Sequence, residues 1–441
     1  MFESNIKIIS ELKSFLSYIA TNRDLLNYFC YSDRDFIRTR KLPFERLALL
    51  ITKLCKKTLS IELETFFQEL GTSMSCSVSA FTQQRVKLNP LFFHCWNLIL
   101  CQGYYLHYGR NVKRWKGYRV IAADGSNISL VNTPCLSGHF GGQGNQQTDF
   151  VLAKTFYHYD VLNELIIIPQ IKPYRYAELN MAYDAIDKIE EDMLTIYDRN
   201  FSNCKMVALH LLQEKERKFI IRARETTLNI VKDFIASGQC CSIVEMKPTD
   251  ETIKGLKKSG YIITKNTWFK VRLVRVELPD SIEVLITNLW KEENHPASEF
   301  KDLYFMRWGV ETNICIQKNI LQLEAFSGLT VRAVLQDFYA TVLMTNLHAI
   351  LIKDAQQTVD KKVTYRKYPM KINKNKAFGK IKVNLVSLFI KDKPEDILKI
   401  LYDYFIKELV PIRKGRSFPR VRKNIKAKSK HRTYTNFKSA H

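Results

Sequence analysis

Along roughly the first 115 residues, apolar positions recur every three or four residues, as in IISELKSFLSYIA and ERLALLITKLCKKTLSIELETFFQEL. That is the period of a helix burying one face, so this stretch predicts a helical domain. Ser79 precedes AFTQQRVKL and is placed to cap a basic helix carrying Gln83, Gln84, Arg85 and Lys87. Gln and Arg match base edges, so such a helix suits a major groove; the alternative is a plain surface helix.

From Tyr118 the pattern changes. YRVIAADGSNISLV reads as a strand ending in a loop at Asp124, and FVLAKTFYHYD and LNELIIIPQI read as two more strands joined by a turn at 160–163. Three successive strands predict an antiparallel meander. A helix follows at AELNMAYDAIDKIEEDM, then a short buried strand, LTIYD, ending at Asp198. RNFSN reads as a turn, CKMVALHLLQEKE as a helix and KFIIRAR as a strand. Residues 225–290, notably TWFKVRLVRVEL and SIEVLITNLW, alternate as strands and read as a mostly β insertion. After NHPAS the chain returns to helices through about residue 408.

The first of these late helices contains YFMRWGVETNICIQK, residues 304–318. At about 100° per residue, Tyr304, Arg307, Glu311 and Lys318 fall within an arc of roughly 60°. A bland reading is a solvated face with an i,i+4 Arg–Glu pair. The rest of the chain bears on the choice.

The 68 Lys and Arg residues against 44 Asp and Glu give a net charge of +24 over 441 residues. Such an excess points to a polyanion, nucleic acid before an anionic membrane. A hydrophobic fraction of 46% argues for a folded interior. There is no signal-peptide pattern at MFESNIKIIS and no apolar run of bilayer length, so the expected location is the cytoplasm, at the bacterial nucleoid. Ten cysteines are scattered, with one vicinal pair, Cys240 and Cys241, and no zinc-ligand spacing; they read as reduced thiols. From Pro411 onward the chain carries Arg413, Lys414, Arg416, Arg420 and further basic residues and no acid, a tail suited to gathering phosphates. GHFGGQG lacks the Lys-Ser/Thr of a phosphate cradle, and no G-x-S-x-G elbow is present.

Two aspartates are placed at strand ends, Asp124 in IAAD and Asp198 in TIYD. Strand ends are where open sheets with helical crossovers bind ligands, although a lone Asp there is more commonly a turn former. If the first and fourth strands are neighbours and the late helix crosses their tips, Glu311 joins them. Three clustered carboxylates repel one another unless a cation sits among them, and hard oxygen donors suit Mg²⁺ or Mn²⁺. Two such ions can drive an in-line phosphodiester displacement. Arg307, Lys318 and Tyr304 then flank the reacting bond as phosphate contacts.

At these residues the chain resembles the IS4-type insertion-sequence transposases, whose signature is Y-x2-R-x3-E-x6-K. ADGSN at Asp124 resembles the family's first aspartate motif, and YDRNFSN at Asp198 its second, with Asn200 where Gly is usual and a left-handed turn expected. The likeness spans about 118–345, includes FSG at 326–328, and extends to RKGRSFPR in the tail.

The resemblance implies an α/β, RNase H-like catalytic core with Asp124, Asp198 and Glu311 as a metal-binding DDE triad. It implies Mg²⁺, replaceable by Mn²⁺, and cut-and-paste transposition: cleavage at terminal inverted repeats, then strand transfer to target DNA. It implies double-stranded DNA and a synaptic homodimer as partners, with Tyr304, Arg307, Lys318, Arg199, Gln84, Arg85, Arg416 and Arg420 on DNA. The expected layout is a helical DNA-binding domain at 1–115, the core at 116–224 and 291–345, the β-rich insertion at 225–290, helices at 346–410 and the basic tail at 411–441. Trp268, Phe269 and Trp290 are the aromatics considered for a hairpin step, which stays open. A non-catalytic DNA-binding derivative of a transposase, or an RNase H-like nuclease that does not join strands, are the alternatives.

Overall fold

The structure is a computed structural model; it describes the chain except residues 1, 39, 54–55, 73–74, 145–148, 225–228, 280, 363–365, 392 and 414–441. The chain divides into two compact units: residues 1–111, 129–152 and 316–441 in one, and residues 112–128 and 153–315 in the other.

The first unit is built mainly of helices. α1 (Phe2–Thr21) buries Ile8, Ile9, Leu12, Leu16 and Ile19 at helical spacing. It is followed by α2 (Arg23–Tyr28), α3 (Phe44–Thr52), α4 (Leu59–Glu69), α5 (Val78–Arg85) and α6 (Leu91–Tyr108). Phe29, Phe44 and Trp96 gather around Phe92, which fills the space where α1, α3 and α6 meet. The cap of α5 is Ser77, whose hydroxyl accepts from the Ala80 amide at 3.1 Å, and not Ser79. The helix therefore starts earlier than the sequence pattern predicts.

In the middle of the chain come β1 (Arg119–Leu130), α7 (Pro134–Phe140), β2 (Gly142–Gly144), β3 (Asp149–Asp160) and β4 (Leu165–Pro173). The β3–β4 turn forms because the Asp160 carboxylate accepts from the amides of Leu162 and Asn163. α8 (Glu178–Tyr183) is short: the predicted helix over 177–193 breaks after Tyr183, leaving a separate 3-10 turn at Ile186–Lys188. Then come β5 (Met193–Tyr197), α9 (Cys204–Leu211) and β6 (Lys218–Arg222). Residues 225–290 hold α10 (Asn229–Ser237), β7 (Cys241–Met246), α11 (Asp250–Lys258), β8 (Phe269–Leu278) and β9 (Ser281–Thr287).

Among the described residues these nine strands form one sheet, in the order β2-β3-β1-β5-β6-β9-β8-β7, with β4 paired to β3. The strands of 225–290 thus continue the same sheet, alongside two helices. β1, β5 and β6 run parallel, whereas β3 with β4, and β6 with β9, β8 and β7, pair antiparallel. Parallel central strands are covered on both faces and read as continuous apolar runs, as MLTIY does, with every residue buried.

The last stretch contains α12 (Phe300–Phe305), α13 (Trp308–Asn319), α14 (Val331–Lys362), β10 (Met370–Ile372), α15 (Lys374–Ile390), α16 (Pro394–Phe405) and β11 (Leu409–Pro411). α12 lays Phe300, Leu303 and Tyr304 onto Val120, Leu194, Ile196, Val274 and Leu285 of the sheet. No helix among the described residues is long and apolar enough to cross a membrane.

Candidate active site

β1 and β5 pair in parallel, and the last aligned residues are Ala123 and Tyr197. The next residue on each strand is an aspartate, so Asp124 and Asp198 stand side by side where the two strands part. β1 does not end there as the sequence pattern suggests; it continues to Leu130 after its partner has turned away. The Asp124 carboxylate accepts from the Gly125 amide at 2.8 Å. That of Asp198 accepts from the Asn200 amide at 2.7 Å and caps a 3-10 turn over Arg199–Phe201. Asn200 is not left-handed, so the turn needs no glycine there. The side chain of Arg224 locks the turn from outside through the Arg199 carbonyl and the Asn200 side chain, and Arg199 stays exposed.

The signature residues do not lie on one continuous helix. Between α12 and α13 the amides of Met306, Arg307, Gly309 and Val310 bond three residues back instead of four. A 3-10 step turns about 20° further per residue than an α step, which breaks the expected stripe. Tyr304, predicted on phosphate, is rotated into the core, and its burial pushes the phenol up to about 12. Arg307 sits at the junction. Its guanidinium reaches the Asp124 carboxylate at 3.4 Å and the Glu311 carboxylate at 2.8 Å. Lys318, further along α13, lies 4.0 Å from the Glu324 carboxylate. Gly309 lets α13 approach closely, since a Cβ there would meet Val161 at 3.2 Å.

Asp124, Asp198, Glu311 and Arg307 therefore form one electrostatic group. Burial pushes the Asp124 carboxyl up to about 6; the Gly125 amide and Arg307 pull it back, and Asp198 and Glu311 push it further. The three carboxylates are not drawn into metal-bridging range: among the described residues, the group with three ligand atoms within 4.8 Å of one another is Cys240, Cys241 and Glu292. Arg307 occupies the cationic role at the strand tips, bridging two of the three acids.

A fourth carboxylate, absent from the sequence reading, belongs here. Glu178, the first residue of α8, folds over Gly125: a Cβ on Gly125 would lie 2.9 Å from the Glu178 carboxyl carbon. Glycine next to Asp124 is what makes room for it. An acid in the first turn of a helix is ordinary, so only the tertiary contact singles Glu178 out.

The other residues expected on DNA are placed variously. Gln84 and Arg85 are turned inward: Gln84 donates to the Leu42 carbonyl, and Arg85 is held by Gln336, Ser327, the Ala333 carbonyl and Asp337. That burial does not match a base-reading face on α5. Arg416 and Arg420 lie outside the described residues. Trp268 is 50% exposed, Phe269 is buried and Trp290 half-buried. Beside Arg307, Trp308 is 45% exposed with the guanidinium over its ring at 5.0 Å, and Phe305 is 70% exposed.

No family model matches this sequence. No curated protein matches it either. Among solved structures, that of a piggyBac transposase synaptic complex with hairpin DNA is similar to this chain, with a TM-score of 0.41 and 11% identity over 94% of this chain and 86% of that one.

Proposed function

We propose that this chain is a DNA transposase of the DDE type, as the Y-x2-R-x3-E-x6-K signature suggests. It cleaves at the inverted repeats of an insertion sequence and joins the freed ends to target DNA. One observation carries the reading: two aspartates stand side by side where two parallel strands part, and an arginine ties the glutamate of a later helix to the first of them. The central order β4-β3-β1-β5-β6, with β1, β5 and β6 parallel, supports an RNase H-like core.

The donor chemistry suits a hard divalent cation, around which the carboxylates have to close once Arg307 leaves. Asp124, Asp198 and Glu311, with Glu178 beside them, offer only carboxylate oxygens, and their mutual repulsion favours a cation. Bound Mg²⁺, or Mn²⁺ in its place, would activate a water or a 3′-hydroxyl and stabilise the leaving oxygen. The remaining work falls to the chain's own groups. Arg307 neutralises Asp124 and Glu311 until DNA arrives, then transfers its planar guanidinium to a phosphate, which frees both carboxylates. Lys318 supplies a point charge two turns beyond Glu311. Tyr304 positions Arg307 from beneath. Arg199, exposed beside Asp198, holds a second phosphate, and Arg416 and Arg420 of the tail add charge along the duplex. The helices before residue 115 bind the element's ends through surfaces other than Gln84 and Arg85, and the active assembly is a homodimer.

Asp198→Asn keeps an oxygen to accept from the Asn200 amide while removing the charge. Cleavage of duplex DNA carrying the terminal repeats, in Mg²⁺, is expected to fall on the order of 10³-fold. Undiminished cutting by this variant would rule out the assigned triad.

A further inference from the structure

The sequence spacing of the cysteines gives no hint of a metal site, yet the fold brings three ligand-type side chains together away from Asp124 and Asp198. Cys240 and Cys241 precede and begin β7, the edge strand of the sheet. Adjacent residues within a strand point to opposite faces. Here Cys240 lies at a bend just before the strand, and both thiols turn to the same side. Glu292, which follows β9, completes the group: its carboxylate accepts from the Cys241 thiol at 3.1 Å. One ligand atom from each of the three residues lies within 4.8 Å of the other two. Tetrahedral thiolate coordination separates two sulfurs by roughly 3.8 Å, so a small contraction suffices.

A second observation comes from Arg272 of β8. Its side chain is 2% exposed, and one terminal nitrogen donates to the carbonyls of Leu289 and His295. The other terminal nitrogen is buried with no close oxygen acceptor; it faces the Glu292 carboxylate at 3.9 Å, and the guanidinium also acts on the Cys241 thiol, favouring its thiolate. A buried guanidinium whose second fork meets only a neutral thiol and a distant carboxylate calls for more negative charge beside it. Conversion of the thiols to thiolates supplies it. Two thiolates and one carboxylate then carry three negative charges, and a divalent ion with Arg272 returns three positive ones.

We propose that Cys240, Cys241 and Glu292 bind a thiophilic divalent cation of the Zn²⁺ type, with a fourth position open to water or an outside ligand. The ion fastens the sheet edge to the segment between β9 and α12, the element that carries Tyr304. The two soft sulfurs select against Mg²⁺, so this site is independent of the strand-tip carboxylates.

The test uses the reduced, metal-free full chain titrated with Co²⁺ as a spectroscopic probe. A thiolate-to-cobalt charge-transfer band saturating at one equivalent, and bleached by Zn²⁺, is expected. Cys240→Ser and Cys241→Ser each abolish the band, Glu292→Gln weakens Co²⁺ binding roughly tenfold or more, and Asp198→Asn leaves both unchanged. Zn²⁺ raises the unfolding temperature of the native chain by roughly 3 °C or more, and not that of Cys240→Ser. Absence of the band in the native chain, or its persistence at full strength in Cys240→Ser, which alters an exposed residue, overturns the proposal.

Discussion

Two arginine–carboxylate groups, one in each unit, use the same chemistry to opposite ends. Arg85 donates to the Gln336 side chain, the Ser327 hydroxyl, the Ala333 carbonyl and the Asp337 carboxylate, and Asp337 also accepts from the Ser327 amide and hydroxyl. Burial alone pushes Asp337 up, but Arg85, Lys56 and Ser327 outweigh it and hold the carboxyl below its ordinary range. Arg307 reaches Asp124 only at 3.4 Å, and its Nε is buried without an acceptor. Asp124 is left above the ordinary carboxylate range. A completed network holds a fold together; an incomplete one, with spare negative charge and a poorly seated cation, is poised to exchange partners.

The sharpest way to break this contrast is to remove each guanidinium while keeping its stem. Arg85→Met leaves the buried Asp337 with only Ser327 and the Lys56 charge to hold it and is expected to cost about 3–5 kcal/mol. Arg307→Met leaves Asp124 able to take up a proton and Glu311 in partial contact with water, so the cost is about 1–2 kcal/mol. Urea unfolding of the full chain measures both. DNA cleavage separates them further: once corrected for the folded fraction, Arg85→Met retains activity and Arg307→Met loses it. Equal destabilisation by the two variants would erase the distinction.

The pH dependence has opposite signs at the two acids. Asp337 has a lowered folded-state pKa, so its stabilisation is present above the ordinary carboxylate value and is lost as pH falls through the depressed one. Asp124 has a folded-state pKa of about 6 against an ordinary value of 3.8. Between those two values the folded form holds the proton more tightly, so the site loses stability as pH rises through that window. In chelator, Asp124→Asn is therefore expected to be more stable than the native chain at pH 7, by on the order of 2–3 kcal/mol, and no more stable near pH 4. It should also be inactive. A variant less stable than the native chain at pH 7 would show that the acid cluster is not strained.

These contrasts mark where the sequence is legible. The places of Asp124 and Asp198 can be read because each follows a run of buried strand residues, whereas the pairing of β1 with β5 is only a supposition until the parallel register shows it. Glu311 can be read from its spacing to Arg307, which survives as a direct ion pair. The orientation of Tyr304 cannot, because four tightened hydrogen bonds at the α12–α13 junction break the regular helical stripe, and the helical spacing of the signature does not announce them. Arg85 cannot either: its partners Gln336 and Asp337 are 251 and 252 residues away, so a local pattern sees only a basic helix. Glu178 is hidden for the same reason.

Glu178 offers the smallest and most specific test of the poised site. Gly125→Ala places a methyl group 2.9 Å from the Glu178 carboxyl carbon and 3.0 Å from one of its oxygens. The obstacle is the far end of a half-buried, flexible side chain, so Glu178 swings away at a stability cost below about 1 kcal/mol. If its carboxylate helps to hold the cation, cleavage falls roughly tenfold, as for removal of a supporting metal partner. Glu178→Gln leaves the methyl-free space intact and removes only the charge, so it should reproduce the loss, and excess Mn²⁺ should restore part of it in both variants. A full rate in Glu178→Gln, with a slow Gly125→Ala, would instead assign the effect to the backbone of Asp124, and the strand-tip site would count three acids rather than four.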